Sequence, residues 1–271
     1  METTHVHVRR RDETFSQRSV TKIWDEVPSA ENPYLPERLH CHGYELSELM
    51  AKRSFVDVLY LLFQGELPSP EKAQLLEQLM IALINPGPRH PATRAAMCAG
   101  VGKTETSQIL PVAMTLLGGN HLGGGEVEEA MRFLRKEVKN DPSRTALDLL
   151  ATACPPSDGD WHPAPGFGSR FGGVDRIAGQ MTERLSRLPG AGRCLKWVVG
   201  FSAALTPHGL GILAPGLAAA AFADLGFQPR VGPGLFQLLN APGTLAHGTE
   251  MANKPLTAMP FVKDEDYVIE R

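Results

Sequence analysis

The sequence is short of cysteine, of long apolar runs and of net charge, and each shortage removes a class of function. Its four cysteines, Cys41, Cys98, Cys154 and Cys194, stand far apart with no C-x-x-C pair. Zinc-ribbon and thioredoxin-like readings therefore fail. Scattered thiols suit a reducing compartment, so a cytoplasmic protein is expected. No apolar run reaches the roughly 18 residues a membrane helix needs. The longest, around Gly209 to Phe222, is broken by glycine and by Pro215. The N-terminus is charged and has no apolar core, unlike a secretory signal. Net charge is −3, which gives no electrostatic ground for nucleic acid, where a concentrated basic face is expected. The one basic cluster, Arg9-Arg10-Arg11, sits in a polar stretch of residues 1–20 and reads as a solvated tail.

Runs that alternate apolar and polar residues are also scarce, and no internal repeat is found. What is present is helical spacing. Leu46, Leu49, Met50, Phe55, Val58, Leu59, Leu62 and Phe63 mark one helix face or two short consecutive ones, with Ser54 as N-cap of the second. Pro70-Glu71 opens a helix that Asn85-Pro86-Gly87-Pro88 stops. Further helices are expected from about Thr104 to Leu117, after Gly125, over Val174 to Leu188, through Leu195 to Val199, and over Leu213–Leu225 and Phe236–Met251. An all-α fold follows. Residues 154–173, rich in Pro, Gly and Asp, read as a linker or a functional loop.

Three constellations carry candidate chemistry. In Gly118-Gly119-Asn120-His121-Leu122-Gly123-Gly124-Gly125, glycines bracket a histidine just before a helix. Such a loop admits close backbone approach to a ligand, and its imidazole can donate a hydrogen bond or move a proton near neutral pH. A flexible turn that contains a histidine is the plain alternative. Pro165-Gly166-Phe167-Gly168-Ser169-Arg170 reads either as a loop wrapping a phosphate or carboxylate, with Gly166, Gly168 and Arg170 in contact, or as a surface turn. His208 beside Pro207 and Gly209 is a third candidate, and a packed or capping histidine is its plain alternative. His247 follows Pro242-Gly243, read as a helix start. His40, His42 and His90 show no metal-ligand spacing, so no metal site is expected. No strand precedes the glycine-rich segments, which excludes a dinucleotide or P-loop reading.

Taken in order, the segments resemble the citrate synthase family, above all its short branch of citryl-CoA lyases. Cys41-His42-Gly43-Tyr44 followed by Ser54 to Pro68 is similar to that family's opening, an "RGY" and then a helix closing on "GeLP". His121 with its glycines resembles the "G-P-x-H-G-G-A" loop. Pro165 to Gly168 matches the start of "PGFGH", Pro242 to His247 resembles "tPGwiAH", and Lys254-Pro255 to Tyr267 is similar to the family's ending. The resemblance covers about residues 20–271. It implies an all-α fold with a large helical domain (residues 21–120 and 211–271), a small one (121–210) and a cleft between them, in a homodimer or higher homo-oligomer. It also implies carbon–carbon bond formation or cleavage between an acyl-CoA and a keto acid or related carbonyl compound. Coenzyme A would come as the thioester substrate or product, with no permanently bound cofactor.

Carried over by position, His121 takes the place of the histidine that stabilises the enol, with Leu122 where the family has glycine. The histidine of "PGFGH" is Ser169 here, followed by Arg170. The family's catalytic Asp falls at His208, its carboxylate-clamping Arg at Asn240, and a further basic position at Lys254. On this pattern His121, His208 and Ser169 are the catalytic candidates. Arg170, Asn240, Lys254, Gly166 and Gly168 are the substrate-binding ones. Losing an arginine at Asn240 removes a bidentate carboxylate partner, so a second substrate less charged than oxaloacetate is expected. Two other readings remain open: a non-catalytic protein that binds a CoA ester or carboxylate, and a structural subunit of a hetero-oligomer.

Overall fold

A computed structural model describes residues 18–260 and 262–270. The Arg9-Arg10-Arg11 cluster lies outside the described residues. The chain divides between Leu67 and Pro68 into two compact units. This division rests on contacts within the chain and is distinct from the expected large and small domains.

The first unit begins with an element the sequence did not announce. Strands β1 (Trp24–Pro28), β2 (Pro36–Cys41) and β3 (Tyr44–Glu45) form an antiparallel sheet in the order β1-β2-β3, with Trp24 opposite Cys41. Both long strands are largely exposed and carry charge, so no apolar alternation marks them. His42 and Gly43, both at positive φ, make the two-residue hairpin turn from β2 to β3. Two helices follow, α1 (Leu46–Lys52) and α2 (Phe55–Gln64). Ser54 and Asp57 form a reciprocal capping box at the start of α2, and Gly65 ends it in the left-handed conformation. Cys41, Leu49 and Leu61 make this unit's small core.

The second unit is helical. Its helices are α3 (Pro70–Ala82), α4 (Pro91–Val101), α5 (Thr106–Leu117), α6 (Gly124–Glu137), α7 (Pro142–Thr152), α8 (Arg176–Ser186), α9 (Arg193–Leu205), α10 (Ala214–Asp224) and α11 (Gly232–Ala252). Helices α4 and α7 went unseen in the sequence. Each opens with proline behind a capping side chain, His90 and Asp141, but α4 is built of small residues with a weak apolar pattern. The other expected helices fall in place. One expectation is overturned: Pro242-Gly243 does not start a helix but lies inside α11. Proline has no N–H to lose, and the Gly243 N–H is diverted to the Ile84 carbonyl (2.9 Å), so the helix runs through.

Helix α10 is apolar on all sides and buried from Pro215 to Phe222, as a central helix must be. It packs on α6 and α9, while α11 packs on α4, α5 and α6. Aromatic rings fill the space between α6 and α9, with Phe201 stacked on Trp197 (4.8 Å) and edge-on to Phe167 (4.7 Å). Two two-residue strands, β4 (Phe167–Gly168) and β5 (Gly211–Ile212), pair antiparallel and tie the 160s loop to the entrance of α10.

The crossing of α4 and α11 depends on glycine. A Cβ on Gly100 would collide with the Gly248 carbonyl oxygen, and the neighbouring Ala252 nitrogen would lie at 3.1 Å. Gly100→Ala is therefore expected to destabilise the fold by about 1–3 kcal/mol, the usual cost of overpacking. Gly234→Ala, in the same helix α11 but in open space, should be neutral or stabilising by up to about 1 kcal/mol. Urea unfolding midpoints check both, and an unchanged midpoint for Gly100→Ala contradicts the close approach.

Candidate functional site

The loop between α5 and α6 carries His121 and is held by one buried carboxylate. Leu122 sits at φ +54°, in the left-handed region that costs a side-chain-bearing residue roughly 1–2 kcal/mol. Two bonds hold it there. Its N–H donates to Glu126 Oε2 (2.7 Å), and its carbonyl accepts from His90 Nε2 (3.2 Å). Glu126, in the first turn of α6, is 2% exposed. Its Oε1 accepts from the Gly166 N–H (2.9 Å) and from His162 Nδ1 (3.1 Å). Burial pushes this carboxyl up, but the hydrogen bonds from His162, Gly166 and Leu122 outweigh it and hold it below the usual glutamate range.

Three imidazoles gather around this anchor. His162 bonds Glu126, and that bond, against the opposing effect of burial, raises its pKa above the ordinary histidine value. His121 stacks on His162 with ring centroids 4.8 Å apart and makes no hydrogen bond to the described residues. His90 caps α4: its Nδ1 accepts from the Ala92 N–H (3.1 Å) while Nε2 faces the Leu122 carbonyl. This assigns it the neutral Nε2-protonated tautomer. Burial lowers its pKa, and the charges of Arg170 and His121 lower it further.

The 160s loop presents Arg170. Asp160 accepts from the Phe171 and Gly172 N–H groups (2.9 Å each) and from the Ser169 hydroxyl (3.3 Å). Burial opposes ionisation of Asp160, but those bonds win and keep its carboxyl below the usual range. Phe171 is left-handed at φ +52°, and the turn closes with Arg170 and Gly173 exchanging backbone bonds. Arg170 Nη1 donates to Asp175 Oδ2 (3.0 Å), whose other oxygen caps α8 through the Ala178 N–H (3.0 Å). Arg170 Nε is buried and has no acceptor among the described residues.

Arg170 and Asn240 line one cavity of about 280 Å³ within the second unit. Its polar lining also includes Asn85, His90 and Asp175. The apolar lining includes Leu83, Leu122, Ile177, Met181, Leu217 and Phe236. Asn240 is 2% exposed and donates from its amide nitrogen to the Phe236 carbonyl (2.9 Å). The other sequence candidates stand elsewhere. The buried Ser169 hydroxyl accepts from the Trp161 N–H (2.9 Å) and donates to Asp160, and it does not line the cavity. His208 is exposed in a short 3-10 turn (Thr206–His208), also outside the lining. Lys254 pairs with Glu250 one helical turn back on the surface (3.0 Å). Gly166 and Gly168 are close-approach positions. Gly166, at φ +78°, sits on Gly216 at the start of α10, and a Cβ on Gly168 would press into Trp161 and His162. His247 is hydrogen-bonded to Asn85 at the cavity (3.2 Å).

Among the described residues no group of three or more His, Cys, Asp and Glu side chains is placed to hold a metal ion, and no helix is long and apolar enough to cross a membrane.

No family model matches the chain, and no curated protein matches it in sequence. Solved structures do. The citryl-CoA lyase of Hydrogenobacter thermophilus superposes with a TM-score of 0.74 at 23% identity, over 93% of this chain and 94% of that one. The fold is citrate synthase-like. ATP citrate lyase from Methanothrix soehngenii, solved in complex with citrate and coenzyme A, shares it at a TM-score of 0.68 and 18% identity, over 96% of this chain and 44% of that one. So does the citrate synthase of Thermoplasma acidophilum, in its ternary complex with carboxymethyl coenzyme A and oxaloacetate (TM-score 0.60, 18% identity, 80% of this chain and 57% of that one). A citrate synthase-like fold with little strand agrees with the sequence reading.

Sequence reasoning missed Glu126, His162, His90 and Asp175. Pro91 at the first helical position points to His90 as a cap, and Glu126 is the first acidic residue after the glycine loop. Nothing in the sequence links His162 to Glu126, 36 residues earlier. The pair sets a pH signature. Because His162 is raised in the fold, its contribution is fully present below the unfolded histidine value, about 6.5, and is lost as pH rises through its folded pKa. Because Glu126 is lowered, its contribution is lost only as pH falls through its own folded pKa. The stability loss in His162→Gln should therefore be larger near pH 6 than near pH 9, as read by urea unfolding. A loss that grows with pH contradicts the ion pair.

Proposed function

We propose that the chain binds an acyl-CoA thioester and makes or cleaves the carbon–carbon bond between the acyl α-carbon and a keto acid or related carbonyl compound. It would act as an acyltransferase or a carbon–carbon lyase. The observation that carries this is the cavity's lining. Arg170, Asp175 and Met181 come from the proposed small domain, residues 121–210, while Leu83, His90 and Asn240 come from the proposed large one. A small cavity lined from both segments supports a cleft reading. His121, beside Leu122 of that lining, has no hydrogen-bond partner on its ring among the described residues and is backed by His162. A donor held in place before charge develops on a thioester oxygen stabilises the enolate without reorganisation. His208 lies outside the lining and receives no step. Coenzyme A enters as substrate or product and is not resident.

The test is deuterium exchange at the acyl α-carbon in heavy water, read by mass spectrometry for several acyl-CoAs, with and without keto acids. Exchange is expected, and His121→Ala should slow it by about 10²–10³-fold, the range for removing one oxyanion donor, while acyl-CoA still binds. A second reading, a binding protein without catalysis, is favoured by the placing of Ser169, His208 and Lys254 away from the cavity. It predicts acyl-CoA affinity with no exchange in the parent protein, and that result contradicts the enzyme reading.

A further inference from the structure

The cavity's charge and its lining point to a narrower ligand. Arg170 and Asp175 are the charged side chains among its described lining residues, and they neutralise each other at 3.0 Å. His90 adds no charge, since its Nδ1 accepts a backbone N–H. Asn240 offers a neutral amide, of which one N–H is given to the Phe236 carbonyl. Asn85 is a further polar lining residue, its amide nitrogen hydrogen-bonded to His247 (3.2 Å), and the apolar part of the wall includes Leu83, Ile177, Met181, Leu217 and Phe236. An adjoining groove shares Arg170 with the cavity and adds Arg89 and Arg176.

We infer that this cavity takes a 2-oxo acid with a single carboxylate and an apolar chain, the carboxylate on Arg170 at the side facing Arg89 and Arg176, and the chain lying inward against Met181, Leu217 and Phe236. Arg170 has the donors for it: only Nη1 has an acceptor among the described residues, and Nε is buried without one. A second carboxylate carried inward would meet apolar side chains and the neutral amides of Asn85 and Asn240, with no second lysine or arginine among the described lining residues, and a buried unpaired charge is strongly disfavoured. An inward methylene chain is instead removed from water. At about 280 Å³ the cavity lies just below the usual ligand-site range, about 300–1,000 Å³. That suits a short acid rather than a nucleotide. This inference rests on the proposed function for its carbonyl chemistry, but its test reads binding alone.

Isothermal titration of the full chain with pyruvate, 2-oxopentanoate and oxaloacetate decides it. 2-Oxopentanoate should bind about tenfold or more tightly than pyruvate, which is what burying two methylenes supplies. Oxaloacetate should bind at least tenfold more weakly than 2-oxopentanoate. Asp175→Asn keeps a capping side chain on α8 and removes the counter-charge, so it should narrow the gap by strengthening oxaloacetate. Equal or tighter binding of oxaloacetate, no dependence on chain length, or no binding of any of the three overturns the inference. Absence of α-proton exchange would sink the enzyme reading and leave these affinities to stand or fall by themselves.

Discussion

The buried carboxylate of Glu126 ties three stretches of chain that lie far apart in sequence. It takes one hydrogen bond from the loop before its own helix, at Leu122, one from the 160s loop, at Gly166, and one from His162. Removing any of these groups would leave a buried charge short of a donor, a loss usually worth several kcal/mol when the partner is charged. The geometry of the three imidazoles follows from it. His162 is fixed by Glu126, His121 lies against His162, and His90 holds the far side of the same loop through the Leu122 carbonyl. The left-handed Leu122 is stable only because both its backbone groups are used.

The helical frame determines where that anchor sits. Helix α10 is buried nearly end to end, and Gly166 rests against its first turn at Gly216. The 160s loop is therefore held from two directions, by the core through Gly166 and by Glu126 through its hydrogen bond. Arg170 hangs on a tight turn whose Phe171 is exposed, organised by Asp160 and steered by Asp175. The Glu126 anchor thus lies next to a cationic side chain whose Nε has no acceptor among the described residues.

Much of the frame was legible in the sequence. Ser54 and Gly65 mark α2, Pro70 marks α3, and the apolar spacing marks α5, α8 and α10, because each local signal agrees with the final packing. The sheet was not legible, since its strands bury almost nothing and show no alternation. Helix α4 was missed because its packing relies on small residues such as Gly100 and Ala96 rather than on a stripe of large ones. Of the candidates that glycine context and family resemblance point to, Arg170 and Asn240 line one cavity and His121 is next in sequence to Leu122 of its lining. Ser169 and His208 are candidates on the same grounds, yet the Ser169 hydroxyl bonds within its own loop and His208 is on the surface. Position in a motif says which residue corresponds, not where its side chain is used. Glu126 with His162 is a long-range pair, and no spacing rule reaches across 36 residues.

The claim that one carboxylate organises the site is open to a direct measurement. In Glu126→Gln the side-chain shape is kept and the charge is lost. Histidine ring titration by NMR, alongside urea unfolding, should show the protein still folded but less stable by about 3–5 kcal/mol, the cost of breaking a buried pair. His162 should lose its proton at lower pH than in the parent. An unchanged His162 titration together with unchanged stability would contradict the account.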